Sequence, residues 1–91
     1  MTCIVVVRGK VHGVGFRAAV REYAQAGHVT GTACNAPDRS VRIVISGEWE
    51  SLQRCIGWCS RGPRGARVDS VTVQKVEEKQ FDDFAIITYT G

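Results

Sequence analysis

The stretch GKVHGVGFR, residues 9–17, joins two segments whose hydrophobic patterns differ. Before it, residues 3–8 form an apolar, β-branched run, which predicts a strand in the middle of a sheet. After it, apolar residues recur at positions i, i+3, i+4, i+7 and i+8 from Phe16, which predicts a helix. We therefore expect a glycine-rich loop between a strand and a helix, with Arg17 in the first helical turn.

The rest of the chain continues this alternation of strands and helices. Its patterns predict a second helix that opens at 47–50 and ends at 61–65, and four further strands at 29–35, 41–46, 68–76 and 84–89. The order βαββαβ, followed by one more strand, is typical of a ferredoxin-like domain. The sequence therefore predicts an α+β fold in which an antiparallel sheet carries both helices on one face.

Length and composition indicate one domain that spans residues 1–91. Hydrophobic residues make up 44% and charged residues 23% of the chain, and the formal net charge is +3. This mild positive charge suits an anionic ligand but does not require nucleic acid. The sequence has no apolar run of about 18 residues that would span a membrane, and its N-terminus has no basic signal-peptide region. We therefore expect a cytoplasmic protein whose four cysteines are reduced.

A glycine-rich loop in front of a helix is a recurring binding site for anions. Glycine lets successive backbone amides converge on an anion, and the first turn of the helix adds unpaired amides and the positive end of its dipole. Arg17 is slightly unfavourable at that end of a helix, and a bound phosphate would reverse this cost. From these residues alone, a plain turn followed by a solvated arginine remains the alternative.

Three other phosphate motifs match only in part. Residues 13–18 (GVGFRA) fit the dinucleotide-binding pattern, but no acidic residue follows at 34–36. Residues 9–11 (GKV) lack the serine or threonine of a Walker loop. Residues 55–61 (CIGWCSR) have the spacing of cysteine-dependent phosphatases, but Cys55 lies on the apolar stripe of the second helix. We expect Cys55 to be a core residue and not a nucleophile.

The chain resembles the acylphosphatase family. The first family signature reads Gly-x-Val-Gln-Gly-Val-x-Phe-Arg, and residues 9–17 match it except that His12 replaces glutamine. Further segments similar to the family are GTACN (31–35), GPRGARVDSV (62–71) and FAIITY (84–89). The resemblance covers essentially the whole chain and implies the same ferredoxin-like fold.

The resemblance also implies a function and its residues. Family members hydrolyse acyl phosphates to a carboxylate and inorganic phosphate, with no metal or other cofactor. It implies that Arg17 binds the phosphate, that Asn35 positions the attacking water, and that the backbone amides of the loop cradle the phosphate. The implied phosphate-binding residues are His12, Gly13, Val14, Gly15, Phe16 and Arg17. We also expect a monomer that acts on a small molecule and has no nucleic-acid or membrane partner.

The chain departs from the family pattern at four positions, and two other functions stay open. His12 is one departure, Arg39 replaces a turn glycine, and Thr32 and Cys34 replace other common residues. One alternative is a carbamoyl-phosphate-handling domain, as in hydrogenase-maturation carbamoyltransferases. The other is a non-enzymatic binding module, since RNA-recognition modules share the βαββαβ order. Residues 3–8 and 41–46 lack the aromatic side chains that such modules stack on bases.

Overall fold

The computed structural model describes residues 1–90, which form five strands and two helices. The strands are β1 (Thr2–Lys10), β2 (Thr30–Asn35), β3 (Val41–Ser46), β4 (Arg67–Val76) and β5 (Phe84–Ile86). The helices are α1 (Phe16–Ala26) and α2 (Trp49–Cys59). The predicted order is confirmed, and so is the α+β, ferredoxin-like fold class.

The five strands form one sheet in the order β4–β1–β3–β2–β5. The β1–β4, β1–β3 and β2–β3 pairs are antiparallel, whereas β2 and β5 are parallel. The sheet is therefore mixed, and the prediction of an antiparallel sheet is wrong at this edge. β4 runs in the direction opposite to β1 and β2. The connection 77–83 crosses from β4 to the other edge of the sheet and reverses the chain direction, so β5 runs in the same direction as β2.

Both helices pack on the same face of the sheet, as predicted. Val5 and Val7 of β1 are fully buried on this face, while the alternate residues point to the open face and are more exposed. The buried helical residues that share this core are Phe16, Val20, Ala24, Leu52, Cys55 and Cys59. Trp58 links the helices, because its ring centroid lies 5.7 Å from that of Phe16 and 5.5 Å from that of Tyr23.

The last strand is shorter than predicted. The predicted strand 84–89 is observed only as Phe84–Ile86. The Ile87 amide still donates to the Ala33 carbonyl at 2.9 Å. The side chains of Ile87 and Tyr89 line a groove on the open face of the sheet, and no strand pairing continues past Ile87 in the described chain. β5 therefore stops before it reaches the end of β2.

The register places the end of β2 near the end of β1. Both β1 and β2 are antiparallel to β3, so they run in the same direction, and their C-terminal ends lie at the same end of the sheet. In the last shared row, Val41 pairs with Val7 on one side and with Asn35 on the other. Val7 and Val41 are fully buried under the helices, so Asn35 also points to the helix face. Its side chain thus lies on the side of the sheet where α1 begins.

The hairpin that follows Asn35 contains a strained residue. Arg39, at the position where the family resemblance implies glycine, has a φ of 71°. This left-handed region costs a residue with a Cβ roughly 1–2 kcal/mol. The hairpin is held by Asp38, whose carboxylate accepts hydrogen bonds from Arg8 at 2.7 Å and from the Ser40 amide at 3.1 Å. These contacts hold the pKa of Asp38 below its ordinary value.

We predict that Arg39→Gly stabilises the protein. Glycine removes the steric cost at positive φ, and part of that gain is offset by the greater freedom of the unfolded chain, so the free energy of unfolding should rise by about 0.5–1 kcal/mol. Urea denaturation followed by circular dichroism measures this change. Arg39→Ala is the matched control, since it removes the charge but keeps the strain. Equal stabilisation by both substitutions would contradict the strained-backbone explanation.

Candidate active site

A cleft opens where the loop after β1, the start of α1 and the end of β2 meet. Its volume is about 170 Å³. It is lined by Val11, Gly13, Gly15, Phe16, Arg17, Ala18, Asn35 and Ile86. Every predicted site residue except His12 and Val14 therefore lines this one cleft.

The loop between β1 and α1 has the backbone conformation that its glycines predicted. Gly13 and Gly15 both have a φ of 73°, in the left-handed region that residues with a Cβ rarely adopt. A Cβ at either position would meet no atom within 4 Å, so the requirement for glycine is conformational rather than steric. The first hydrogen bond into α1 runs from the Ala19 amide to the Gly15 carbonyl at 3.0 Å. The backbone N–H groups of Phe16, Arg17 and Ala18 therefore come before the first hydrogen bond of the helix and have no partner within it.

Arg17 has no negatively charged neighbour in the part of the chain that the structure describes. It is half-buried, and no carboxylate of residues 1–90 lies within 4.0 Å of its guanidinium. The first turn of α1 also contains no acidic residue to offset the positive end of the helix dipole. A guanidinium, unpaired amides and a helix dipole thus place positive charge around one cleft. This arrangement suits a tetrahedral oxyanion such as a phosphoryl group.

Phe16 anchors the loop through a contact that the sequence analysis missed. Its side chain is only 2% exposed. Gly62, in the segment after α2, approaches this ring so closely that a Cβ at position 62 would lie 2.7 Å from Phe16 Cε2. Gly62 also has a φ of 71°. The sequence predicts the end of the second helix at 61–65 and a family-like segment at 62–71, but it does not show that this segment packs on the residue that begins α1.

Asn35 is the site residue contributed by β2. Its side chain is half-buried and points to the helix face. Within residues 1–90, no side chain or backbone group forms a hydrogen bond with its amide group. A side-chain amide offers both a donor and an acceptor, so this group is available to hold a water molecule or a ligand.

His12 and Val14 belong to the loop, but their side chains lie outside the cleft. The His12 ring donates from Nε2 to the Ser40 carbonyl at 2.9 Å and so fastens the loop to the β2–β3 hairpin. Val14 packs against the core. Any part that these two residues take in binding would therefore come from their backbone amides, as the sequence analysis expected.

Three apolar residues of the cleft were not among the predicted site residues. They are Val11, Ala18 and Ile86. Ile86 reaches the cleft because β5 pairs with β2. It lies opposite Ala33, which comes two residues before Asn35 in β2. The apolar pattern of 84–89 indicated a strand, but it carried no signal of which strand would be its neighbour.

A larger groove of about 280 Å³ lies on the open face of the sheet and contains none of the loop residues. Cys34 lies in this groove, and burial raises the pKa of its thiol against the opposing charges of Arg42 and Arg17. Cys55 is fully buried within α2, which agrees with the prediction that it is a core residue. A hydrogen bond with Cys55 and burial raise the pKa of Cys59. None of these cysteines lines the cleft beside the glycine loop.

No cluster of three or more His, Cys, Asp or Glu side chains within residues 1–90 is placed to hold a metal ion. None of the helices in this part of the chain is both long enough and apolar enough to cross a membrane.

The chain is similar to known proteins over most of its length. A family model described as Acylphosphatase matches residues 3–86. An acylphosphatase of Chromohalobacter salexigens is 42% identical over 79% of this chain and 80% of its own length. An acylphosphatase of Yersinia pseudotuberculosis is also 42% identical, over 88% of each chain.

Solved structures show the same similarity. An acylphosphatase from Coxiella burnetii superposes with a TM-score of 0.92 and 32% identity, covering 94% of this chain and 90% of that one. The full-length HypF in its phosphate- and nucleotide-bound form superposes with a TM-score of 0.89 and 28% identity. That match covers 96% of this chain but only 12% of HypF.

Proposed function

The chain belongs to the acylphosphatase family and hydrolyses acyl phosphates, and we propose that the cleft between the glycine loop and Asn35 is its active site. The observation that carries this proposal is the half-buried guanidinium of Arg17, which has no carboxylate partner within residues 1–90. It lies at the positive end of α1 and beside two glycines in the left-handed conformation. A phosphoryl group would satisfy all three features at once.

Arg17 and the backbone amides bind the phosphoryl group of the substrate. The planar guanidinium donates two parallel hydrogen bonds to two phosphoryl oxygens, which fixes the orientation of the group. The amides of the loop and of the first helical turn donate to the remaining oxygens. Because these donors are fixed before the substrate arrives, they stabilise the charge that these oxygens carry in the transition state.

Asn35 positions the water that attacks phosphorus. Its amide orients the water, and a new phosphorus–oxygen bond forms as the bond to the acyl oxygen breaks. The acyl oxygen leaves with the bonding electron pair as a carboxylate, and the proton of the water passes to a phosphate oxygen. A carboxylate is a stable leaving group and needs no general acid. The lining of the cleft is consistent with a reaction that has no general acid, because Arg17 is the one ionisable lining residue within the described chain.

The other predictions about this protein extend the proposal. The proposal includes a cytoplasmic location, a reducing compartment in which the four buried cysteines stay as thiols. Action as a monomer and the absence of a nucleic-acid partner are part of the same proposal. A carbamoyl-phosphate-handling domain is the less supported function, because the match to HypF covers only 12% of that protein.

We predict that Arg17→Gln lowers kcat/KM for benzoyl phosphate by about 10³-fold or more, because it removes the charge that binds the phosphoryl oxygens. Phosphate release is measured in the presence of a chelator and a thiol-blocking reagent, neither of which should reduce the wild-type rate. p-Nitrophenyl phosphate, which has a poorer leaving group, should not be hydrolysed.

Arg21→Gln is the matched control for this experiment. Arg21 is an exposed arginine one turn further along α1 and does not line the cleft. The Arg21→Gln variant should keep wild-type activity, and circular dichroism should show that both variants are folded. Wild-type activity in Arg17→Gln would remove the cleft from the reaction.

We predict that Asn35→Ala lowers kcat by about 10²-fold and leaves KM for benzoyl phosphate within about threefold, because it affects the water rather than the phosphoryl group. Steady-state kinetics separates the two constants. Thr32→Ala, on the opposite face of the same strand, is the control and should change neither. A large rise in KM at unchanged kcat would assign Asn35 to substrate binding.

A further inference from the structure

We propose that the groove on the open face of the sheet is a second binding site, for a carboxylate that carries an apolar body of several carbon atoms. Its volume is about 280 Å³, compared with about 170 Å³ for the cleft beside the glycine loop. The two cavities share no lining residue within the described chain. The inference therefore goes beyond the proposed function and does not depend on it.

The floor of the groove consists of two cross-strand pairs between β2 and β3. Thr32 pairs with Val44 and Cys34 pairs with Arg42, and all four residues line the groove. Thr32 and Cys34 alternate along β2 with Ala33, which is fully buried under the helices. Because β2 and β3 are each paired on both sides, the floor is a fixed part of the sheet.

The rest of the lining comes from two segments outside the sheet, the connection 77–83 and the residues after β5. The connection is held to the open face at Lys79, whose carbonyl accepts a hydrogen bond from Ser46 Oγ at 2.9 Å. It contributes Lys79 and Phe81 to the groove, and the residues after β5 contribute Ile87 and Tyr89. Three of these four side chains are aliphatic or aromatic, so an apolar body in the groove would be buried against them.

The charges of the groove are of one sign. Its lining within residues 1–90 contains two cations, Arg42 and Lys79, and no acidic residue. No carboxylate of residues 1–90 lies within 4.0 Å of either cation. Asp38 lines an adjoining cavity together with Arg42, but it is already paired with Arg8 at 2.7 Å. Burial raises the pKa of the Cys34 thiol, so this side chain adds no negative charge to the floor.

A carboxylate with an apolar body matches both properties of the groove. The guanidinium of Arg42 can donate two parallel hydrogen bonds to the two carboxylate oxygens, and the ammonium of Lys79 adds a second positive charge. Sites for small organic ligands combine apolar walls with a few polar groups and measure roughly 300–1,000 Å³. At about 280 Å³ the groove is close to the lower end of that range. A small anion would use only the cations and a neutral molecule only the walls, so we expect the combination to bind most tightly.

The first experiment titrates the ¹⁵N-labelled protein with octanoate, acetate and 1-octanol and follows amide chemical shifts. Octanoate should shift the amides of residues 32–34, 42–44 and 79–81. Its Kd should be at least about tenfold lower than that of acetate and at least about fivefold lower than that of 1-octanol. Because a carboxylate could also enter the other cleft, the titration is repeated with Arg17→Gln, which should bind octanoate with a Kd within about twofold of the wild-type value.

The second experiment removes the cations of the groove. Arg42→Gln should weaken octanoate binding at least about fivefold and leave 1-octanol within about twofold, because only the carboxylate loses a partner. Lys79→Gln, at an exposed position, should weaken octanoate about two- to threefold and tests the same point if Arg42→Gln does not fold. Arg21→Gln removes an exposed arginine of α1 and is the matched control, which should keep the wild-type Kd.

The third experiment shortens the apolar wall. Ile87→Ala should weaken octanoate and 1-octanol equally, by about threefold each, because both lose the same buried apolar area. Val73→Ala is the matched control, since Val73 is 44% exposed and Ile87 is 41% exposed, but Val73 does not line the groove. This control should keep both Kd values.

Four outcomes would overturn the inference: octanoate shifts confined to residues 13–18, equal Kd values for octanoate and acetate, cation variants that bind octanoate as tightly as Arg21→Gln, or an Ile87→Ala variant that binds as tightly as Val73→Ala. Each of these outcomes leaves the proposed function intact, because none of the groove residues lines the other cleft. Failure of the proposed function has a different signature, namely that Arg17→Gln hydrolyses benzoyl phosphate like the wild type.

Discussion

The structure of this site depends on a guanidinium that has no counterion in the described chain. Arg17 is half-buried at the positive end of α1, where neither a carboxylate of residues 1–90 nor an acidic first turn offsets its charge. Such an arrangement costs free energy in the empty protein and is stabilised when an anion binds. The fold keeps the charge in place by packing Phe16, the neighbouring residue, against Trp58 and Gly62. Under the proposed function, this cost in stability is the source of affinity toward a phosphoryl group.

The chemistry divides between backbone and side chains in a way that explains the sequence of the loop. Positive φ at Gly13 and Gly15 gives the loop a conformation in which successive backbone amides can converge on an anion, and the side chains between them contact the rest of the fold. His12 illustrates this, since its ring is hydrogen-bonded to the hairpin at Ser40. The replacement of glutamine by histidine is therefore compatible with the function of the family. A histidine in such a loop suggests acid–base catalysis, but the His12 ring instead fastens the loop to the hairpin.

The sequence predicted the elements that local chemistry determines, and it predicted less where distant segments meet. Hydrophobic periodicity indicated both helices and the order of strands, and the motif at 9–17 indicated the loop. The parallel pairing of β5, by contrast, depends on a chain crossing that no local pattern records. For the same reason the sequence did not show that Ile86 would reach the cleft or that Gly62 would pack on Phe16. Asn35 was predicted only through the family resemblance, because an asparagine before a turn is common in any protein.

The most direct test of the central claim is a titration of the ¹⁵N-labelled protein with inorganic phosphate, followed by amide chemical shifts. The account predicts that the largest shifts belong to the backbone amides of residues 13–18 and to the side-chain amide of Asn35. Residues of the groove on the open face, such as Cys34 and Arg42, should change little. The account would be contradicted if the largest shifts occurred in that groove while the loop stayed unchanged at saturating phosphate.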